Sequence, residues 1–263
     1  WFDENTLFVG TDEGAGSLTD SGYPRLVKLW ERGTDFAQAR LIAEGKIKKQ
    51  KPLPPISEEG KPFALPEGWE WVRLLSIAHV GTGATPSRDN PSYYQPQDHM
   101  WVTSGETSEP FVLSTREKVS ELAVRETNVS IYPVGTLIVA MYGQGKTRGQ
   151  ITELRVPAGT NQACAAILLV DLDESHRSYV KKYFQKSYED LRSLAEGGAQ
   201  PNLNVGKVSN TLIPLPPSAE QKRITAKVDE LFRVCDELIL KIRAAGETEL
   251  TICDVLVEKA LVH

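Results

Sequence analysis

The stretch TLIVAMYGQGKTRGQITEL, from Thr136 to Leu154, decides between two folds for this chain. Its middle part, AMYGQGKT, fits the loose form of a phosphate-binding loop, in which a small residue and four others precede Gly-Lys-Thr. Such a loop lies between a buried strand and a helix whose N-terminal N–H groups hold the phosphates. The apolar residues before the glycines predict the strand. The residues after Thr147 show a strand-like apolar pattern and end at Pro157, so they predict a second strand instead of the helix.

Two neighbouring strands joined by a tight turn run antiparallel, whereas parallel strands need a crossover of roughly a dozen residues or more. We therefore predict an α/β domain over residues 65–215 with a mixed, mainly antiparallel sheet. Further strands are predicted at HMWVTSGE (99–106), ACAAILLVDL (163–172) and LIPLPP (212–217), and one helix at 174–198. A nucleotide-binding enzyme with Lys146 on the phosphates is the alternative.

The composition is that of an ordinary globular protein, with 263 residues, 40% hydrophobic and 25% charged, and a net charge of −5. This charge argues against nonspecific binding to polyanions. No apolar run approaches the roughly 18 residues of a membrane span, and acids stand where a signal peptide carries bases, so we expect a cytoplasmic protein. The three cysteines, Cys164, Cys235 and Cys253, lack CxxC spacing and are expected to be buried thiols, with no metal site.

The first 64 residues are predicted to hold one helix and a linker. Residues 1–23 give no clear element. The stretch from Pro24 to Glu44 has proline at a first helical position and apolar residues at helical spacing, which predicts a helix ended by Gly45. The proline-rich residues 45–64 are typical of an extended linker.

The last segment, residues 216–263, is predicted to be one long helix that forms a coiled coil. Ser218 and Gln221 fit a capping box at its start. Apolar residues then recur alternately four and three apart, as in a heptad seam. The seam positions are Ile224, Val228, Leu231, Cys235, Leu238, Ile242 and Ala245. A partner helix would cover this seam; the alternative is that the helix packs along the flank of its own domain.

Eight pieces of the sequence, in this order, resemble the specificity subunits of type I restriction-modification systems, which read the DNA target for a methyltransferase and a translocating nuclease. The pieces are EGKIKKQKPLPPI (44–56), LPEGWEWVRL (65–74), GTGATPS (81–87), WVTSGE (101–106), TLIVAMYGQGKTRG (136–149), TNQACAAI (160–167), GGAQPNLN (197–204) and IPLPPSAEQKRITAKVDEL (213–231). The resemblance implies that residues 65–215 form one target recognition domain and that the flanking helices are spacers.

Members of this family usually carry two recognition domains for the two halves of a split site, whereas this chain shows one. It is therefore half of a longer subunit or a natural half-subunit that dimerises, in which case twofold symmetry predicts a palindromic split site. The expected partners are double-stranded DNA, adenine methyltransferase subunits, a nuclease subunit, and a second copy or another specificity half. S-adenosylmethionine, ATP and Mg²⁺ are expected on those partner subunits, with no cofactor in this chain.

The resemblance implies that GQGKTRG is a turn of the recognition domain whose Lys146 and Arg148 contact DNA. Lysine and arginine pair with guanine O6 and N7, and asparagine and glutamine with adenine N6 and N7. The loop residues predicted to face DNA are Thr85, Ser87, Arg88, Thr103, Ser104, Gln144, Lys146, Thr147, Arg148, Gln200 and Asn202. Asn161 and Gln162 are predicted to make structural hydrogen bonds. Two groups of bases have the potential to form a positive face, with a solvated surface as the alternative for each: Lys146, Arg148 and Arg155, and Arg177, Lys181, Lys182, Lys186 and Arg192.

The sequence offers no catalytic motif of an adenine methyltransferase, which holds the flipped base with an Asn/Asp-Pro-Pro-aromatic loop. PLPPI and PLPPS lack the acid or amide and the aromatic residue, and NPSYY lacks the second proline. We therefore expect a non-catalytic chain whose partners supply the chemistry. A coiled-coil scaffold whose α/β domain binds protein is the second alternative.

Overall fold

The computed structural model describes residues 6–9, 26–31, 40–44, 54–143, 146–196 and 202–261, with side chains given for 54–143, 146–193 and 202–246. The chain divides into two units after Ala64. Each unit is described by itself.

The first unit contains three strands, β1 (Thr6–Val9), β2 (Leu26–Glu31) and β3 (Arg40–Glu44). They form an antiparallel sheet in the order β1-β2-β3, with Leu7 opposite Trp30. The helix predicted over residues 24–44 is therefore wrong. The predicted helix would have had to continue through Gly33, which lowers helix stability. The extended LVKLWE segment instead satisfies its backbone hydrogen-bonding groups by pairing with a strand on each side. Of the linker, residues 54–64 hold only a 3₁₀ turn at Glu58–Gly60.

The second unit is built on a five-stranded sheet with the order β5-β12-β9-β10-β7. Its strands are β5 (Ala78–Thr82), β7 (Phe111–Val112), β9 (Leu137–Ala140), β10 (Ile151–Leu154) and β12 (Cys164–Leu169). All neighbours run antiparallel except β7 and β10, which run parallel. The prediction of a mixed, mainly antiparallel sheet is confirmed.

The segment between β9 and β10 is a hairpin loop. Val139 lies opposite Ile151, and Gly149 N donates to Ala140 O at 2.9 Å. No helix follows Thr147, because Ile151 already begins the returning strand. The described residues 146–154 therefore lack the helix that a phosphate-binding loop needs, and the nucleotide-binding alternative loses its basis.

Two smaller sheets complete the strands. One has the order β11-β6-β8 and the other pairs β13 with β4. The strands are β4 (Glu70–Arg73), β6 (His99–Val102), β8 (Glu117–Val119), β11 (Ala158–Thr160) and β13 (Leu212–Leu215). Strands β6 and β11 run parallel, and the remaining pairs of these two sheets run antiparallel.

The helices are α1 (Leu74–Ile77), α2 (Glu121–Glu126), α3 (Glu174–Lys186), α4 (Tyr188–Glu196), α5 (Val205–Ser209) and α6 (Ser218–Leu261). The helix predicted over 174–198 is divided at Ser187 into α3 and α4. None of the helices in the described ranges is long and apolar enough to cross a membrane.

The core lies on both faces of the five-stranded sheet. On one face, Leu137 and Val139 of β9 belong to a cluster with Val180 and Phe184 of α3. On the other face, Ile138 belongs to a cluster with Val102, from the neighbouring sheet. Because helices cover one face and a second sheet the other, β9 is fully buried and reads as a continuous apolar run.

Within the part whose side chains are described, helix α6 contacts α3 along its first turns. The Gln221 side chain donates to Pro216 O at 2.8 Å and accepts from His176 Nδ1 at 2.9 Å, so Gln221 links α6 to α3 and does not form the predicted capping box. Lys182 Nζ lies 2.6 Å from Asp229 Oδ1. Beyond this ion pair every residue from 230 to 245 is exposed. At about 1.5 Å per residue, the 44-residue helix is about 66 Å long.

Candidate nucleic-acid interface

The loops that carry the predicted DNA-facing residues meet at one edge of the strands. Strand β12 begins beside the ends of β5 and β9, because it runs antiparallel to both. Strands β6 and β11 run parallel and end together, with Asn161 N donating to Val102 O at 3.1 Å. We call this edge the loop edge. It comprises residues 83–90, 103–107, 141–150, 161–163 and 202–204, of which 144 and 145 lie outside the described residues.

Hydrogen bonds between these loops hold them in contact. Thr85 Oγ1 donates to Gln162 Oε1, and Thr107 Oγ1 lies 3.4 Å from Gln150 Oε1. The backbone of Met141 takes part twice. Its N–H donates to Ala163 O at 2.7 Å, and its carbonyl accepts from Leu203 N at 3.2 Å. Loops from five separate parts of the sequence therefore form one continuous surface.

The segment after β5 is fixed by a close approach of two backbones. A Cβ atom added to Gly83 would lie 1.5 Å from Thr160 O, so only glycine fits there. The next residues turn outward, with Thr85 and Ser87 exposed. Ser87 Oγ accepts from Asp89 N at 3.3 Å, an arrangement typical of a polar turn. The predicted residues of this segment therefore lie at the surface of the loop edge.

Arg88 is exposed, and its guanidinium contacts both an acidic and an aromatic side chain. Its Nη2 lies 2.5 Å from Glu117 Oε2, and its guanidinium carbon lies 4.5 Å from the centre of the Tyr94 ring. Tyr94 in turn donates its O–H to Pro86 O at 2.7 Å. The ring and the carboxylate thus hold the guanidinium at the surface in one orientation, as stacking and ion pairing do for arginine.

Thr103 and Ser104 stabilise their own loop. Glu106 Oε2 accepts from Thr103 N at 2.7 Å and from Thr103 Oγ1 at 3.2 Å, while Glu106 Oε1 accepts from Arg116 N at 2.8 Å. Ser104 O accepts from Thr107 Oγ1 at 2.7 Å. Both predicted residues are half-buried, so their hydrogen-bonding groups serve mainly the turn after β6.

The hairpin between β9 and β10 presents Lys146 at its exposed turn. Thr147 and Arg148 are half-buried, and Gln144 lies outside the described residues. Gly149 has a φ of +88°, a conformation that side chains other than glycine rarely adopt. Lys146 O accepts from the O–H of Tyr188, the first residue of α4, at 2.6 Å. Helix α4 therefore holds the main chain of this hairpin.

The segment before α5 has a structural role in the part that is described. Gln200 lies outside the described residues. Asn202 is half-buried, and its carbonyl accepts from Lys207 Nζ at 3.2 Å. The Asn204 side chain accepts from Lys207 N at 2.8 Å and caps α5. Asn161 and Gln162 make the structural hydrogen bonds predicted for them, the former with Ala163 N at 3.0 Å.

Three of the bases considered for a positive face surround one buried carboxylate away from the hairpin. Glu153 is 4% exposed, and its carboxylate oxygens lie 3.1 Å from Arg177 Nε, 3.4 Å from Lys181 Nζ and 3.6 Å from Arg155 Nη2. Burial lowers the pKa of Lys181, which Glu153 opposes. The one carboxylate balances only one of the three cations, so the cluster keeps a net positive charge, but Glu153 orients the three bases away from the hairpin.

The sequence did not predict that Tyr188 and Glu117 hold residues of the loop edge, and Arg192 was predicted only as part of a positive face. Tyr188 reaches Lys146 across 42 positions of sequence, and Glu117 reaches Arg88 across 29. Pairs so far apart leave no periodic signal. The prediction of buried cysteines is wrong for Cys235, which is exposed, whereas Cys164 is buried and burial raises its pKa to about 12. The described residues contain no group of three or more His, Cys, Asp or Glu placed to hold a metal ion.

Comparison with known proteins identifies relatives of this chain. It is 29% identical over 254 residues to the type I restriction enzyme EcoAI specificity subunit of Escherichia coli, covering 85% of this chain and 38% of that subunit. It is 28% identical over 234 residues to the EcoEI specificity subunit of the same organism, covering 85% of this chain and 39% of that subunit. The chain thus spans about two fifths of the length of these curated relatives.

Solved structures with a similar fold include the HsdS subunit of Thermoanaerobacter tengcongensis. The TM-score is 0.52 at 18% identity, over 67% of this chain and 40% of that one. A chain from a structure of a type I R-M system gives 0.54 at 20% identity, over 72% and 43%. The family model described as "Type I restriction modification DNA specificity domain" matches residues 66–245. This match covers most of the chain, which therefore belongs to the family of type I restriction-modification DNA specificity domains.

Proposed function

We propose that this chain reads one half of a split DNA target for a type I restriction-modification complex. The observation that carries the proposal is the gathering of loops from five parts of the sequence at one edge of the domain. A surface of this kind, built from loops on a rigid sheet, is the usual form of a recognition site. Membership of the family makes DNA the ligand that fits it best.

Lys146, Arg148 and Arg88 are the residues of this surface that we expect to contact DNA most directly. Lys146 and Arg88 are exposed, and Arg88 is oriented by Glu117 and Tyr94. Thr85, Ser87 and Asn202 line the same surface. Thr103, Ser104 and Thr147 support it from within. Arginine reads guanine through a bidentate pair, and a lysine at a turn suits a phosphate or a base edge.

The chain itself carries out no chemistry in this proposal. Methyltransferase subunits would bind S-adenosylmethionine and methylate adenine, and a nuclease subunit, if present, would use ATP and Mg²⁺. The exposed part of α6 is the surface that fits docking of these subunits and pairing with a second specificity half. Five of the predicted seam positions, Leu231, Cys235, Leu238, Ile242 and Ala245, are exposed there, whereas Ile224 and Val228 are half-buried on their own domain.

Two copies paired through α6 would place two loop edges on one DNA duplex. The decisive experiment is to co-express the chain with its cognate methyltransferase subunit in cells that lack adenine methylation and to map methyladenine across the genome. A split palindromic motif is the result expected for a pair of identical chains, because a twofold axis repeats each half-site. A split asymmetric motif would show that a different specificity half reads one end.

Two matched double variants test whether Lys146 and Arg148 contribute to recognition of the motif. Lys146→Ala with Arg148→Ala should lower methylation at the motif, whereas Arg125→Ala with Lys222→Ala, on α2 and α6, removes the same charge elsewhere and should leave the motif unchanged. A soluble complex that methylates no site would contradict the proposal. The exposed face of α6 would then favour the protein-scaffold alternative. Titration with duplex DNA separates the two, because a DNA reader binds it with an affinity that falls steeply as the salt concentration rises, and a protein scaffold does not.

A further inference from the structure

The hairpin between β9 and β10 is held from outside by the first turn of α4. Tyr188 O–H donates to Lys146 O at 2.6 Å, and Tyr188 is half-buried. A Cβ added to Gly149 would lie 3.3 Å from Tyr188 Cδ2, so the returning arm of the hairpin packs directly on this ring. One aromatic side chain thus contacts the hairpin at two positions, the Lys146 carbonyl and Gly149.

Arg192 completes this arrangement one helical turn later. Its Nη1 donates to Tyr188 Oη at 3.1 Å, and its guanidinium carbon lies 5.3 Å from the centre of the Tyr188 ring. A phenol oxygen that accepts a hydrogen bond from a cation becomes a stronger donor in its own O–H bond. The guanidinium also restricts rotation of the ring. Arg192 therefore strengthens the contact between Tyr188 and the hairpin.

The hairpin needs such support because its own sequence is permissive. Gly143 and Gly149 both have positive φ, at +148° and +88°, and each has many accessible backbone conformations. Lys146 is exposed between them. A turn flanked by glycines holds a side chain in one place only if another element fixes the main chain of the turn. Tyr188 does so by donating a hydrogen bond to the carbonyl of Lys146.

We propose that Tyr188, supported by Arg192, is a positioning residue for DNA recognition: it fixes the main chain of Lys146 so that the hairpin meets its half-site in one geometry. This inference rests on the proposed function and assigns the position of the hairpin to α4. Removing the hydroxyl should weaken specific binding and leave nonspecific binding, which depends on charge alone, almost unchanged.

The test uses the chain assembled with its methyltransferase subunit and duplex DNA that carries the motif found by methylation mapping, with a scrambled duplex beside it. Tyr188→Phe is expected to weaken binding to the motif about three- to tenfold, the range of one hydrogen bond, with little change on scrambled DNA. Tyr179→Phe is the matched control. It also removes a hydroxyl that donates to a backbone carbonyl, that of Pro214, far from the hairpin. It is expected to lower stability and leave the motif-to-scrambled ratio unchanged.

A double-mutant cycle with Lys146→Ala shows whether Tyr188 affects DNA binding through Lys146. If Tyr188 acts through Lys146, Tyr188→Phe costs nothing further once Lys146 is alanine. Two results would overturn the inference and leave the proposed function standing. The first is that Tyr188→Phe lowers affinity for the motif equally in the chain that keeps Lys146 and in the Lys146→Ala variant. The second is that Tyr188→Phe leaves this affinity unchanged while Lys146→Ala lowers it. An unchanged motif preference for Lys146→Ala would overturn the role of the hairpin in recognition and the inference with it.

Discussion

Arg88 Nη2 and Glu117 Oε2 lie 2.5 Å apart at the loop edge, and this ion pair holds the arginine over the Tyr94 ring. The pair has two opposite effects on DNA binding. Glu117 orients the guanidinium, which favours a defined contact, and it also cancels a positive charge that would attract phosphates. The effect of removing the carboxylate therefore differs between target and other DNA.

Glu117→Gln should raise affinity for scrambled duplex about two- to threefold at low salt, because one more cation becomes available to phosphates. The motif-to-scrambled ratio should fall, since Arg88 loses its orientation. Fluorescence anisotropy at several salt concentrations measures both. Glu126→Gln is the control. Glu126 is an exposed acid on α2 that accepts from Tyr93 O–H at 3.2 Å, whereas Arg88 is paired with Glu117. A ratio unchanged by Glu117→Gln would contradict an orienting role.

Gly83→Ala is expected to destabilise the domain strongly. Its Cβ would overlap Thr160 O at 1.5 Å, and because that oxygen belongs to the backbone and cannot rotate away, relief requires strands to move. We expect a loss of about 3 kcal/mol in the free energy of unfolding, measured by urea denaturation. Gly105→Ala is the control, because its nearest neighbour, Thr103 Oγ1, would be 4.0 Å away. Similar stability of the two variants would show that β5 and β11 are farther apart than described.

Leu238→Glu and Leu240→Glu should differ in their effect on self-association. Both leucines are exposed on α6, at 51% and 64%, but they lie about 200° apart around the helix, and only Leu238 belongs to the heptad seam. Leu238→Glu places a charge in the seam and should weaken pairing of two chains at least tenfold, on the order of the cost of an unpaired buried charge. Leu240→Glu should have little effect. Light scattering of each purified variant reports the molar mass, and equal masses at all concentrations would contradict pairing through the seam.

The two described cysteines should react differently with iodoacetamide. Burial raises the pKa of Cys164 to about 12, so its thiol stays protonated and unreactive well above pH 8. Cys235 is exposed at a seam position of α6 and should be alkylated in the single chain. Assembly with a partner helix should slow that reaction. Peptide mass spectrometry with time measures both rates, and rapid alkylation of Cys164 in the folded chain would contradict its burial.

The parts of the fold that sequence predicted are those whose signals are local. Strands β9 and β10 each carry their own apolar pattern, and the glycines between them mark a turn, so their hairpin could be inferred without other contacts. The heptad of α6 is local in the same sense. Strands β2 and β3 were mistaken for one helix because their apolar residues fall at helical spacing, and the pairing of β2 with β1 depends on a segment that showed no pattern of its own.

The candidate site was predicted in outline and missed in detail for a similar reason. Loop chemistry pointed to Thr85, Arg88 and Lys146, and the structure brings them to one edge. The residues that hold them, Gln162, Glu117 and Tyr188, come from distant positions and fold back only through tertiary packing. Thr103 looked like a reader in the sequence, but it is used by the turn after β6.

The exposed apolar residues of α6 affect how long an unpartnered chain persists in a cell. Large apolar side chains such as Phe232, Ile239 and Ile242 are 58%, 46% and 71% exposed on a single helix. Apolar strips of this kind promote aggregation and attract chaperones and proteases. We expect copies made in excess of their binding partners to be degraded. The steady-state amount of this protein would then follow the supply of whatever covers α6, even when the chain itself is synthesised in excess.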